Sequence, residues 1–588
     1  MAITVKWKFL RSHSLITLYF LAALIGVGAG LGALAFGALI HSAEWFFRDL
    51  IAEQLLPCRW LFPLIPMFGI VVATYVTRRY APEARGHGVP EVMAAVATRG
   101  GIIRARVVAV KAFASAITIG TGGSVGREGP IVQIGSALGS SVGQFLRCSG
   151  QRVRLLLACG AAAGISATFN APIAGMMFSA EVILNNFSGV SIAPLIIASV
   201  MGTVVMRTAT GGDPASLNIG DIPFSLHSRE LILFVGMGVL CGLGAWLFVK
   251  VLYRCEHMAD KVKCHWIIKP LAAGLIVGVL GLFVPQVMGI GYETIESLFL
   301  HPSAEWGAFS MKLVSWALGL FLLKVLATST TLAGGGSGGV FAPSLFLGAA
   351  LGAATGMASH VLFDTGITSV GTYAICGMAA MVAGTTRAPI TAILIVFEMT
   401  HNYQIILPLM LAVISAFVIA TLLEKESIYT LKLSARGESV SRFGSVQSLA
   451  SVHVKEVMRT DFKTFTVSQN VNDLVAYIRD GKSINFPLLD SDGAFYGFIS
   501  TEMFRRSFFS KKQNRDISLK DIAIPDITIL FPESSLLEAV EAFAFRDVSA
   551  IPVVDVEDRK RLVGLIYRRD IDQEYKRQTL LHTSELHA

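Results

Sequence analysis

Charge is what this sequence has least of. Asp, Glu, Lys and Arg make up 15% of its 588 residues against 53% hydrophobic, and the mean hydropathy is +0.62. Ordinary soluble domains are about one quarter charged, so the shortage excludes a chain that lives wholly in water and points to lipid. Cysteine is scarce as well. The seven cysteines are an odd number and contain no C-x-x-C pair, which supports neither a disulfide framework nor a redox motif. Cys255, His257, Cys264 and His265 crowd one polar connection, but their spacing fits no standard zinc pattern, and no metal is expected. The sequence also lacks H-E-x-x-H, which argues against a zinc protease. No catalytic residues are assigned, and the chain is expected not to be an enzyme. The net charge of +8 is scattered between apolar spans rather than gathered on one face. That pattern fits a positive-inside membrane protein in contact with lipid headgroups and gives no reason to expect a nucleic acid partner.

What is present is apolar length. The run from Ser14 to Ile40 carries no charge for 27 residues, more than the roughly 20 that cross a hydrocarbon core, and follows Lys6, Lys8 and Arg11. It is too long for the apolar part of a signal peptide and no small-residue cleavage site clearly follows, so it reads as a retained helix with a cytoplasmic N-terminus. Further stretches recur at 61–76, 155–180, 189–206, 230–252, 268–288, 311–328, 340–363, 370–397 and 405–423, many interrupted by Gly or Pro. Irregular backbone at membrane depth survives only under protein cover, so the interruptions predict broken helices inside a bundle. Residues 1–433 form this membrane domain, and 434–451 read as a polar linker.

Both parts repeat internally. In the tail, V-K-E-V-M at 454–458 matches L-K-D-I-A at 519–523, and F-P-L-L-D at 486–490 matches I-P-V-V-D at 551–555. In the membrane part, Lys111 stands twelve residues before Gly123 of G-S-V-G-R-E-G-P, and Lys324 twelve before Gly336 of G-S-G-G-V-F-A-P, an offset of 213. A-P-I-A-G-M-M-F-S-A-E at 171–181 matches A-P-I-T-A-I-L-I-V-F-E at 388–398, an offset of 217. Two landmarks in one order at nearly one offset indicate a duplicated unit of about 200 residues, with a substrate site where the halves meet.

Each G-S-x-G segment, and Gly86-His87-Gly88-Val89-Pro90, has the form of a loop turning into a helix N-terminus. Free N–H donors and the positive end of the helix dipole attract an anion without a full positive charge, so binding stays weak enough for release. An acid at membrane depth, here Glu128, is a functional residue by default. Arg127 beside it reads either as part of that site or as its structural ion pair.

G-H-G-V-P at 86–90, G-R-E-G-P at 126–130 and G-G-V-F-A-P at 338–343 resemble the three signature sequences of the CLC chloride channels and transporters. Lys111, F-N-A-P at 169–172, R-A-P at 387–389 and E-M-T-H-N-Y at 398–403 extend the likeness over most of the chain. The resemblance implies an all-α polytopic membrane domain of inverted repeats with broken and re-entrant helices, forming a homodimer with one anion pathway per subunit. It places chloride or a similar small anion among His87, Gly88, Arg127, Glu128, Gly129, Gly339, Val340, Phe341, Ala342 and Tyr429, with Glu128 as the gate. Proton-coupled relatives commonly carry a second glutamate at the position of Val182, leaving Glu128 and Glu181 as proton-pathway candidates. His87 stands where the family usually has serine. It donates a hydrogen bond when neutral and would titrate near neutrality if unperturbed. The tail resembles an α/β tandem of CBS modules at 452–510 and 511–588, where an adenine nucleotide is a possible ligand but not a required cofactor. Ser500 and Asp570 are its candidate contacts, although neither module keeps both a Ser or Thr and an Asp three residues later. The expected setting is the bacterial plasma membrane, with the tail in the cytoplasm. The competing readings are a CBS-regulated divalent-cation transporter, which would need more carboxylates along its path, or a membrane enzyme.

Overall fold

A computed structural model describes residues 15–55, 58–211, 230–262, 264–300, 311–363, 369–436, 452–469, 474, 485–500, 518–523, 528–545, 550–558 and 560–574. The basic residues before Ser14, most of the 434–451 linker and the 510/511 module boundary lie outside them. The chain separates into two compact units, residues 1–440 and 441–588.

The first unit is helical. Its elements are α1 (Leu15–Glu44), α2 (Leu64–Tyr80), α3 (Val89–Thr98), α4 (Arg106–Gly120), α5 (Glu128–Phe145), α6 (Gly150–Phe169), α7 (Pro172–Phe178) and α8 (Gly189–Thr210). They continue with α9 (Leu231–Lys261), α10 (Ile268–Phe283), α11 (Tyr292–Leu300), α12 (Met311–Ala333), α13 (Phe341–Phe363), α14 (Val370–Thr386), α15 (Pro389–Thr400), α16 (Ile406–Leu423) and α17 (Thr430–Ala435). Among the described residues, eight helical segments are long and apolar enough to cross a membrane, and several more apolar helices are too short to do so. Large apolar side chains such as Leu24, Leu240, Leu322 and Leu411 face outward. In water that would be a liability; in a bilayer it is the lipid surface.

Two of the apolar stretches are each two helices. The run at 155–180 breaks at Asn170, and that at 370–397 at Arg387, both left-handed (φ 56° and 61°) and both followed by Ala-Pro. Proline cannot continue the preceding helix, and it fits the first turn of the next.

The halves pack by the same contacts twice. An added Cβ at Gly26 of α1 would meet the Ala198 carbonyl of α8 at 2.6 Å, and one at Gly238 of α9 the Ala412 carbonyl of α16 at 2.5 Å. Gly160 of α6 would collide with Gly135 of α5, as Gly377 of α14 would with Gly348 of α13. Small residues let backbones approach where lipid offers no hydrophobic drive between helices.

The second unit holds a three-stranded sheet, β1 (Phe465–Thr466), β2 (Asn485–Leu489) and β3 (Phe495–Ser500), and a β4 (Ala550–Val554)/β5 (Leu562–Tyr567) pair. The antiparallel pairs β2/β3 and β4/β5 carry equivalent bulges, at Leu488/Leu489 and Val553/Val554. Segment 452–459 does not close the first half. Val454 donates to the Ser534 carbonyl at 2.8 Å, and Arg459 and Leu565 exchange backbone bonds at 2.8 and 3.0 Å, so it completes the second.

Candidate functional site

Three helix starts, those of α3, α5 and α13, are laced together through their loops. Gly126 and Gly339 exchange backbone hydrogen bonds at 2.8 and 2.6 Å, and the Gly338 amide donates to the Gly86 carbonyl at 3.4 Å. The loops meet so closely that an added Cβ at Gly339 would reach the Gly129 nitrogen at 2.7 Å, and one at Gly88 the Gly129 carbonyl at 2.7 Å. At Gly338 it would collide with Val125. The signature glycines are therefore needed first for loop-on-loop packing, whereas the sequence suggested approach of an ion.

Hydroxyls on α4 and α12 hold each other's loops. Ser115 of α4 bonds Ser337 and Thr328 of α12 bonds Ser124, each at 3.0 Å. Thr118 accepts from the Ser337 amide and Thr331 from the Ser124 amide, each at 3.2 Å. Every pair obeys the 213-residue offset, so each half builds the other half's site. The repeated lysines serve a parallel purpose. Lys111 donates to the carbonyls of Ala84 and Gly86 at 3.0 and 2.6 Å, and Lys324 to those of Val287 and Gly289, both at 3.1 Å. Buried ammonium groups here fold a Gly-x-Gly loop in front of a helix start. Gly86 and Gly88 have φ of 76° and 84°; Gly289 and Gly291 have φ of 55° and 88°. The second loop, which opens α11, went unread in the sequence.

Glu128 lies in the first turn of α5 and is 1% exposed. One carboxylate oxygen accepts from the Ala342 amide at 3.3 Å, and the other accepts from the Tyr292 hydroxyl at the start of α11. The Arg127 guanidinium lies 5.5 Å from the Tyr292 ring centroid. A carboxyl oxygen thus already takes one of the helix-start donors of α13. Val340 and Phe341 are buried there, with Phe341 against Phe169 and Phe178 at 5.6 and 6.5 Å between ring centres. Tyr429 is buried within electrostatic reach of Glu128.

His87 is buried beside two groups absent from the sequence reading. Its Nε2 is 3.4 Å from Lys432 Nζ and 3.7 Å from Glu256 Oε1, and the latter two pair at 3.2 Å. Its Nδ1 is buried without a protein hydrogen-bond partner.

The remaining acids are helix caps. Glu181, within the π-helical turn Ser179–Leu184 after α7, accepts from the amides of Ile390 and Thr391 at 3.3 and 2.8 Å. Glu398 of α15 accepts from those of Ile173 and Ala174 at 3.0 and 2.7 Å. Each carboxylate satisfies the orphan N–H donors of the other half's helix, which accounts for the repeated A-P-I…E spacing. Val182 is buried in the same turn as Glu181. In the tail, Asp570 is bound bidentately by Arg459, both bonds 2.7 Å, and Ser500 ends β3. Outside the membrane, that pairing raises Arg459 above the usual guanidinium range.

These features define a multi-pass helical membrane protein of inverted halves whose helix starts converge on the Glu128 carboxyl group. The profile described as voltage gated chloride channel matches residues 68–421, and that of the CBS domain matches 454–509 and 519–576. The chain belongs to the CLC family of voltage-gated-type chloride channels and transporters, with a CBS pair after its membrane unit. A ClcB-like chloride channel protein of Ralstonia nicotianae is 32% identical over 437 residues, which are 73% of this chain and 99% of that protein. A slow cyanobacterial Cl⁻/H⁺ antiporter is 27% identical with a TM-score of 0.65, over 72% of this chain and 98% of its own. A eukaryotic CLC transporter, 21% identical, shares the fold over 96% of this chain and 98% of its own at a TM-score of 0.65.

Proposed function

We propose that this protein carries chloride or a similar small anion, that Glu128 gates the pathway, and that flow is uncoupled from protons or weakly coupled to them. The observation that carries the gate is the Glu128 carboxylate accepting from the α13 helix start, where a mobile anion would compete for the same donor. When ionised the side chain blocks the site; when protonated it leaves. Weak coupling is supported by Val182, which cannot ionise, and by Glu181, whose oxygens are committed to capping α15.

A second reading, tight chloride/proton exchange, is favoured by the similarity to the cyanobacterial antiporter. The test is the reversal potential of reconstituted protein in a fixed chloride gradient while the pH gradient is varied. Independence from pH, with Glu128→Gln constitutively open, supports uncoupled flow. A potential that tracks the proton gradient, and ceases to in Glu128→Gln, supports exchange.

The working unit in this proposal is a homodimer in the bacterial plasma membrane, with one pathway per subunit and the tail in the cytoplasm. The basic residues before the first apolar run support that orientation. The tail acts as a dimerisation platform without a required cofactor.

A further inference from the structure

Tyr292 belongs to none of the three signatures, yet it touches the gate. It is the first residue of α11, directly after the Gly289–Gly291 loop that Lys324 holds in shape. Position 89 in the first half, its counterpart at the 203-residue offset between the two Lys-held loops, is a valine. Only the second half therefore offers a hydroxyl at this point. That hydroxyl donates to one oxygen of Glu128 while the Ala342 amide donates to the other at 3.3 Å.

We propose that Tyr292 is a positioning residue that latches the gate: its hydroxyl holds the Glu128 carboxylate in the pathway and sets the pH at which the pathway opens. The proposal rests on Glu128 being the gate. A hydrogen bond to the charged form of an acid favours that form, so the latch stabilises the blocking carboxylate and delays opening until the medium is more acid. The groups facing Glu128 are Tyr292 from α11, Tyr429 from the segment before α17, and Arg127 from its own turn. Arg127 in turn lies within electrostatic reach of Glu44 at the end of α1. The Tyr292 hydroxyl also meets the Arg127 side chain, so one hydroxyl ties the carboxylate and its neighbouring guanidinium together, while Tyr429 is unchanged when that hydroxyl is removed. What changes is then the latch.

Tyr292→Phe keeps the ring against which Arg127 packs and removes the hydroxyl's bonds to Glu128 and Arg127. In proteoliposomes, the midpoint of chloride flux against external pH is expected to rise by about one unit, the size of shift that one charge-assisted bond supports. Flux at neutral pH rises with it, and both effects vanish in a Glu128→Gln background. Ring-fluorinated tyrosine at position 292, a stronger donor, moves the midpoint the opposite way. A merely structural role would not produce opposite shifts from the two replacements. An unchanged midpoint in both replacements, with Glu128→Gln still abolishing the pH dependence, overturns the latch and leaves the gate standing. Persistence of the pH dependence in Glu128→Gln overturns the gate and the latch with it.

Discussion

His87 departs from the serine usual in its signature, and its neighbours give that departure a mechanism. Nε2 faces both the Lys432 ammonium at 3.4 Å and the Glu256 carboxylate at 3.7 Å; when it accepts from Lys432, which has no acceptor, the ring proton sits on Nδ1. Nδ1 has no hydrogen-bond partner among the described residues, so in that tautomer its N–H is available as a neutral donor where the family usually has a serine hydroxyl. Charging the ring would set a second cation against Lys432, with Lys111 bound one residue away at the Gly86 carbonyl and Glu256 the only acid against the ring in the described cluster. His87→Ser is therefore expected to keep chloride flux and leave the acid-activated limb in place, because that limb belongs to Glu128. An unperturbed histidine there would titrate near neutrality, and its loss would instead flatten part of the profile. Lys432→Met removes one cation and leaves Glu256 beside the still-buried ring, so it should ease protonation of His87 and add an acid-side titration step that the parent lacks. That step should be absent from the His87→Ser/Lys432→Met double variant. Flux measured across pH 5 to 8 in the four proteins checks the scheme; a step that survives in the double variant removes His87 as its source.

At the scale of elements, the molecule is two copies of one set of close contacts, and equivalent positions should respond alike. Gly135→Ala and Gly348→Ala each press a methyl group into the opposing helix backbone, at Gly160 and Gly377, and each should cost about 1–3 kcal/mol of stability. Gly28→Ala and Gly236→Ala, where an added Cβ meets nothing within 4 Å, should be neutral or slightly stabilising. Thermal melting of the purified protein in detergent separates the two pairs. The caps make a second matched pair. Glu181→Gln and Glu398→Gln each weaken a charged cap, at a cost of about 0.5–2 kcal/mol, and neither should alter the reversal potential. Much of this was legible in one dimension: the 213 and 217 offsets mark the duplicated helices, and the lysines mark the loops they hold. What escaped had physical reasons. The polar dips at Asn170–Pro172 and Arg387–Pro389 are only three residues long between apolar flanks, so each broken pair reads as one apolar stretch. The second Gly-x-Gly loop shares only its glycines with the first, too little to register as a repeat. Tyr292, Glu256 and Lys432 each look ordinary where they stand, and only the fold brings them to Glu128 and His87.

At the scale of the whole chain, the open question is whether the tail reads a nucleotide. Its two halves repeat at an offset of 65, and the segment that enters it, 452–459, is built into the second half rather than the first. Arg459 ends that segment, and its guanidinium takes both oxygens of Asp570 at 2.7 Å while lying 5.3 Å from the Tyr567 ring centroid. Asp570 is the one acid of the ribose-binding pattern that this tail retains, so a ribose would have to displace a bidentate, charge-assisted pair. The Arg459 side chain is 46% exposed, which holds the worth of the pair to about 1 kcal/mol, but both carboxylate oxygens of Asp570 are engaged by it. Full-length protein titrated calorimetrically with ATP or AMP is accordingly expected to give no micromolar binding, and chloride flux should be indifferent to either nucleotide. Arg459→Met keeps the length and apolar packing of the side chain while releasing Asp570. It should therefore bind adenine nucleotide at least several-fold more tightly than the parent, and Asp570→Asn in that background should abolish the gain. Micromolar binding by the parent protein that is lost in Asp570→Asn would show instead that the ion pair opens readily, and that Arg459 does not keep the tail from acting as a nucleotide sensor.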